Sequence, residues 1–157
     1  MKRVALALLV LAAPVAARDT LGVYKGWGAL RDARPARCFA IARPIAAGGR
    51  AQGFASVASW PGRGLRNSLA IRLSRARDRA ADVTLSIGER RFTLVAGEFD
   101  AWAADAPSDR AIVTAMRSGR SMSVEAVGAT GRPFADVYAL AGAATAIDAA
   151  ALGCARR

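Results

Sequence analysis

Regular alternation of apolar and polar side chains is the feature that most constrains what this chain folds into. Leu69, Ile71 and Leu73 alternate with small or charged neighbours, which is the period of a half-buried β-strand. The sequence predicts short strands at 37–42, 53–60, 68–74, 121–127 and 134–140.

A two-residue turn at Gly88 and Glu89 separates two further alternating runs. The first run ends at Ile87, and apolar residues resume at Phe92. Glycine readily takes the positive φ needed at the first central position of a type II′ turn. Residues 81–95 are therefore predicted to form a β-hairpin.

The segment 106–118 follows the period of a helix. Its apolar residues fall on one side of a helical wheel and its arginines mostly on another, as in a short amphipathic helix. Asp105 or Ser108 is predicted to cap the first turn, and Gly119 to end the helix as a left-handed residue.

The alanine-rich end of the chain also has helical spacing. Gly153 is predicted to end this helix. An alanine-rich helix of this length is marginal in water, so we expect it to dock on the sheet. The arc predicted to face the sheet contains Leu140, Ala144, Ile147, Ala151 and Cys154.

The first 17 residues have the form of a secretory signal peptide. A basic start precedes an apolar run, and small residues up to Ala17 suit cleavage before Arg18. A retained anchor is the alternative, although the apolar run is about half the length that spans a membrane. The mature chain, 18–157, is predicted to be a single domain without a transmembrane span, since alanine and glycine are weakly apolar and Asp148 interrupts the C-terminal run.

Cys38 and Cys154 are the only cysteines of the chain. Two cysteines in an exported protein normally pair, so a disulfide between them is predicted. Free thiols are the alternative, but they would be open to oxidation, and without histidine they cannot form a Cys–His nucleophile pair.

Three stretches together carry a resemblance to a known family. They are YKGWGALRDARPARCFAIARP at 24–44, AWAADAPSDRAIVTAMRSG at 101–119 and DVYALAGAATAIDAAALGCA at 136–155. The chain resembles the invasion associated locus B family of exported bacterial proteins. Many members have an additional cysteine pair in the middle region, which this chain lacks, and the family's usual Gly-Phe near the last helix is Gly142-Ala143 here.

The resemblance implies a mainly β fold, an immunoglobulin-like β-sandwich with one short internal helix and a C-terminal helix. It also implies a periplasmic or outer-membrane-associated location and an accessory role without established chemistry. The favoured function is thus a non-enzymatic exported binding or interaction module. The alternative is a periplasmic enzyme or enzyme inhibitor acting on cell-wall material.

Composition gives catalysis little support. The chain has no histidine, and Lys25 is the only lysine after the signal peptide, so the common general bases and most metal-ligand sets are missing. Asp100, Asp105 and Asp109 do not have the spacing of an EF-hand, and we assign them to helix capping and solvated faces. No catalytic residue, metal or cofactor is predicted.

Basic residues exceed acidic ones by 23 to 12, a net charge of +11 that falls to +9 without Lys2 and Arg3. An anionic partner such as a phosphate-bearing glycolipid is one interpretation of an arginine-rich stretch. A general arginine bias over a strand and a loop is the other. Nucleic acid is not expected, because export separates the chain from it and aromatic residues are not interleaved with the charges. The stretch contains Arg63, Arg66, Arg72, Arg75, Arg77 and Arg79.

Three tryptophans, Trp27, Trp60 and Trp102, are open to two interpretations. Large rings in a small β domain usually pack in the core or at its edges. A shared ligand groove is the alternative, and it requires all three to approach one pocket.

Overall fold

The computed structural model of the protein describes residues 18–155, so the predicted signal peptide lies outside the described residues. This part of the chain forms ten strands and two α-helices, with a 3₁₀ helix at Pro61–Arg63. In chain order they are β1 (Arg18–Tyr24), β2 (Trp27–Ala33), β3 (Ala36–Ala42), β4 (Phe54–Trp60), β5 (Leu65–Arg72), β6 (Val83–Ile87), β7 (Arg90–Ala96), β8 (Asp100–Trp102), α1 (Ala106–Ser118), β9 (Ser121–Val127), β10 (Pro133–Ala139) and α2 (Ala143–Ala155).

The strands form one antiparallel ladder in the order β1-β2-β3-β4-β5-β8-β7-β6-β9-β10. The ladder also folds back on itself. The N–H of Ile45, just after β3, donates to the Val137 carbonyl of β10 at 2.7 Å, and Val137 N–H donates to Ala46 at 2.7 Å. The apolar faces of both halves share one buried core. The predicted mainly β, sandwich-like fold with two helices is confirmed.

The predicted hairpin is present as β6 and β7. Ile87 pairs with Arg90 across a two-residue turn, and Gly88 takes a φ of 58°. A glycine is suited to this position because a Cβ disfavours positive φ.

Helix α1 has the predicted bounds, and Asp105 is its cap, accepting from the Ser108 N–H at 2.7 Å. The prediction for Gly119 was wrong in conformation, since its φ is −77°. A Cβ on Gly119 would lie 2.7 Å from Ile87 Cγ2 and 2.9 Å from Leu140 Cδ1. Glycine therefore provides room for close packing there rather than a left-handed helix end.

Helix α2 docks on β1, β2 and β3, and its buried face matches the predicted one only in part: Ile147 is buried and Cys154 is half-buried as predicted. Ala144 is half-buried and Ala151 is exposed. The predicted arc was misplaced because Leu140 lies before the turn at Gly142 and is not part of the helix. Gly153 does not end the helix, which continues to Ala155. The glycine instead faces Leu21 of β1, which would clash with a side chain there. The buried residues are Ala143, Ala146, Ile147 and Ala150.

The sequence did not predict β1, β2 or β8. Strand β1 lies at the edge of the sheet and is mostly exposed, so it has no clear apolar alternation. Strand β8 has only 3 residues. In β2, Trp27 is buried, and its indole N–H donates to the Ala139 carbonyl at 2.8 Å.

Candidate anion-binding surface

The end of α2 is bonded covalently to the sheet. Cys38 of β3 and Cys154 form a disulfide with an S–S distance of 1.99 Å and a Cα–Cα distance of 5.8 Å. Cys38 is buried, whereas Cys154 is half-buried. The disulfide therefore fixes the last turn of α2 beside β3 and β4.

A cleft of about 260 Å³ opens between this last turn and the β4–β5 connection. The β4–β5 pairing shifts register between Ala58 and Trp60, so the two strands are irregular at this point. Asn67 takes a φ of 53°, and its backbone N–H donates to Ser59 Oγ at 3.2 Å. The cleft is lined by Ser59, Pro61, Gly64, Leu65, Arg66, Asn67, Ala151, Cys154 and Ala155.

Beside the cleft, three arginines stack alternately with two aromatic rings, and we call this arrangement the arginine–aromatic ladder. Arg18 and Arg37 lie 5.4 and 4.4 Å from the Phe39 ring centre. Arg37 and Arg63 each lie 5.2 Å from the Trp60 ring centre. Such contacts stabilise a guanidinium group on a ring face and leave its edge free to bind an anion.

One carboxylate neutralises part of this charge. Asp32 accepts from Arg18 Nε at 2.7 Å and from Arg37 Nε at 2.8 Å. The hydrogen bond from Arg18, assisted by Arg37, holds the pKa of Asp32 below its usual range despite burial. Among the ion pairs of residues 18–155 none involves Arg63 or Arg66, so these two guanidinium groups are the unneutralised part of the surface.

The six predicted arginines do not form one continuous group. Arg72 pairs with Asp100 and Arg79 with Glu98, each at 2.9 Å. Arg75 lies 5.5 Å from the Phe134 ring centre. Arg63 and Arg66 lie in and just after the 3₁₀ helix, beside the cleft. Arg77 donates to the backbone carbonyls of Asp78, Ala81, Ala96 and Gly97.

Comparison with known proteins gives one clear structural likeness. The crystal structure of invasion associated protein B from Bartonella henselae matches with a TM-score of 0.62 at 17% sequence identity, covering 84% of this chain and 96% of that one. The fold is that of invasion associated protein B. The resemblance predicted from the sequence is thus confirmed in the fold. No protein-family model and no curated protein sequence matches the chain.

Within this invasion associated protein B fold, the three clustered aspartates have structural contacts. Asp100 pairs with Arg72 and Asp105 caps α1. Asp109 accepts from the Leu69 N–H at 2.7 Å, and burial raises the pKa of its carboxyl group. Across residues 18–155, His, Cys, Asp and Glu side chains form no group of three that could hold a metal ion.

The fold also encloses a carboxylate that sequence reasoning missed. Asp136 of β10 accepts from the Ser74 N–H at 2.8 Å, from the Gly48 N–H at 2.9 Å and from the Ser74 hydroxyl. Its side chain is buried, as is Tyr138 two residues later. Burial, with the Asp136 charge next in importance, raises the pKa of Tyr138. Both side chains lie inside the invasion associated protein B fold rather than at an open site, and the hydrogen bonds of Asp136 join its segments.

The tryptophans occupy three different environments of the same fold. Trp27 lies in the core, Trp60 in the arginine–aromatic ladder, and Trp102 on the outer sheet face, where it pairs with Val95 across β7 and β8. They do not line one shared groove. In the described part of the chain no helix is both long and apolar enough to span a membrane.

Proposed function

We propose that the chain is an exported, non-enzymatic binding module of the invasion associated protein B type. It works in the periplasm or at the outer membrane, and its binding surface is the arginine–aromatic ladder together with Arg66. The observation that carries this proposal is a pair of guanidinium groups, those of Arg63 and Arg66, without a carboxylate partner among residues 18–155. Arg66 lines the cleft, and Arg63 precedes its lining residue Gly64.

The charge of this surface favours an anionic partner. Asp32 offsets only one of the two positive charges of Arg18 and Arg37. Arg63 and Arg66 therefore increase a positive charge that is already in excess at this surface. A guanidinium group donates two parallel hydrogen bonds to a phosphate, and stacking on a ring already restricts its orientation. A phosphate-bearing glycolipid of the cell envelope has the matching chemistry.

In the folded chain, arginines alternate with aromatic rings, an arrangement that is not visible in the linear sequence. Arg37 and Phe39 are distant from Trp60 in sequence, but the pairing of Cys38 with Ser59 across β3 and β4 brings them together. A guanidinium group stacked on a ring face can still donate hydrogen bonds from its edge to phosphate oxygens. Export keeps the proposed partner in the envelope rather than in the cytoplasm.

Vesicle co-sedimentation tests the proposal. The mature protein is mixed with phosphatidylcholine vesicles with or without phosphatidic acid, at low and high salt. We expect binding only to the anionic vesicles and release by salt, because salt screens exposed charges. Arg63→Ser with Arg66→Ser is expected to weaken binding by about tenfold, which corresponds to about 1.4 kcal/mol.

The matched control is Arg90→Ser with Arg132→Ser. Arg90 stacks on Phe92 at 5.2 Å as Arg63 stacks on Trp60, and Arg132 is exposed like Arg66. The control removes the same charge and is expected to change binding by less than about twofold. Absence of vesicle binding at low salt, or an equal loss of affinity in both double variants, would refute the proposal that this surface binds the vesicles.

Export is tested separately by the intact mass of protein recovered from the periplasm. Cleavage after Ala17 is expected to leave a chain that begins at Arg18. A recovered chain that still begins at Met1 would contradict signal-peptide cleavage.

A further inference from the structure

We infer that the cleft binds the phosphate headgroup of a single amphiphilic molecule, so that the protein takes up individual lipids as well as adhering to an anionic surface. This inference rests on the proposed binding function and specifies its ligand. It follows from the chemistry of the cleft lining and from the covalent attachment of α2.

Part of the cleft lining is polar. Arg66 contributes a guanidinium group without a carboxylate partner among residues 18–155, and Asn67 contributes a side-chain amide. Ser59 Oγ accepts from the Asn67 N–H, which leaves its own O–H as a donor. A phosphate has enough acceptor oxygens for all three groups, and the positive charge of Arg66 matches its negative charge.

The rest of the cleft lining is mostly apolar. Leu65, Pro61 and Ala151 line the cleft, and Leu65 is 48% exposed. Leu152, next to Ala151 in α2, is 58% exposed. Large exposed leucines beside a cationic group fit a ligand that is charged at one end and apolar at the other.

Size decides how such a ligand fits. Sites that enclose drug-sized molecules measure about 300 to 1,000 Å³, and this cleft measures about 260 Å³. It has room for a headgroup and a short stem but not for a whole acyl chain. The chain of the ligand therefore extends over Leu65, at the rim.

The backbone at Asn67 is locally irregular beside the cleft. Its φ of 53° is left-handed, a conformation that asparagine adopts more readily than most residues with a side chain. The hydrogen bond to Ser59 and the register shift beside it hold Asn67 toward the cleft.

The disulfide makes the cleft a preformed site. Cys154 and Ala155 form part of its wall, and the bond to Cys38 prevents the last turn of α2 from moving away from β4. A wall that is already in place reduces the cost of ordering when a ligand binds.

The test uses a short-chain monoacylglycerol phosphate below its micelle concentration, titrated into the mature protein by calorimetry. We expect one molecule per protein chain, bound about tenfold more tightly than either inorganic phosphate or the matching monoacylglycerol. If inorganic phosphate binds as tightly as the monoacylglycerol phosphate, the cleft is a site for small anions and the inference is overturned. Equal binding of the uncharged monoacylglycerol would remove the role of Arg66 and overturn it as well.

A cleft-filling variant separates the cleft from the wider surface. Ala151→Phe puts a ring into the cleft from an exposed position and leaves every arginine in place. It is expected to abolish binding of the monomeric ligand but not binding to anionic vesicles. Thr145→Phe, exposed on the same helix outside the cleft, is the control and is expected to retain both.

The outcomes distinguish this inference from the proposed function. Vesicle binding without binding of the monomer would refute the cleft site and leave the surface function standing. Absence of both would refute the proposed function too. If Ala151→Phe binds the monomer as well as wild type does, the ligand occupies another place.

Discussion

Asp136 of β10 accepts a hydrogen bond of 2.8 Å from the backbone N–H of Ser74, which follows β5. Both residues are buried, with exposed fractions of 0% and 1%. The same carboxylate accepts from Gly48 in the loop after β3. One side chain thus joins three segments from the two halves of the folded sheet.

Replacement of this carboxylate is expected to be severely destabilising. Asp136→Ala leaves the donors of Ser74 and Gly48 without an acceptor in the interior, at a cost of about 3 kcal/mol or more. Urea denaturation measures the loss. Asp82→Ala, at an exposed aspartate, is the control and is expected to stay within about 0.5 kcal/mol of wild type. Similar losses in both variants would contradict the role of Asp136.

Replacement of Tyr138 by phenylalanine is expected to increase stability. Its hydroxyl group is buried and finds no hydrogen-bond partner among the described residues. Tyr138→Phe removes the unpaired hydroxyl and keeps the ring, so we expect a gain of about 1 kcal/mol in unfolding free energy. Urea denaturation at neutral pH checks this gain, with the half-buried Tyr24→Phe for comparison. A loss of stability would mean that the hydroxyl has a partner, such as a buried water.

The disulfide is expected to dominate the resistance of the domain to unfolding. A sequence separation of 116 residues makes Cys38–Cys154 a long-range cross-link, and removal of a native disulfide from a small exported domain costs about 2 to 5 kcal/mol. Cys38→Ser with Cys154→Ser should therefore lower the urea midpoint clearly. Wild type under reducing conditions should show the same midpoint as the double variant. An unchanged midpoint in both would show that α2 docks without help from the bond.

Asp32 gives the arginine–aromatic ladder a pH dependence. Arg18 and Arg37 hold its pKa below the usual range, so the carboxylate stabilises the fold above the ordinary aspartate range and loses this effect as the pH falls through the lowered value. Asp32→Asn is expected to cost up to about 1 kcal/mol at neutral pH. In strong acid the two proteins should have equal stability. A difference that persists in acid would assign the effect to packing instead of charge.

Local chemistry predicted much of this fold. Alternation indicated the central strands, Gly88 indicated the hairpin, and Asp105 indicated the start of α1, because each depends on near neighbours in sequence. Edge strand β1 was missed because it buries few side chains, and the phase of α2 was wrong because Leu140 was counted on a wheel that begins only after Gly142.

The candidate site was less predictable because it depends on pairing between strands. The sequence drew attention to Arg63 and Arg66, but also to Arg77, whose guanidinium group is held by backbone carbonyls. Arg37 was not predicted as a site residue, because its contact with Trp60 forms only when β3 and β4 pair. Such contacts have no local signature.

The covalent bond between Cys38 and Cys154 also determines how the domain bears mechanical load. A pulling force applied between residue 18 and the end of α2 passes through β1 and β2 to Cys38 and crosses directly to Cys154. Strands β4 to β10 lie outside this path. While the disulfide is intact, such a force would therefore extend β1 and β2 first and leave the ladder from β4 to β10 unloaded.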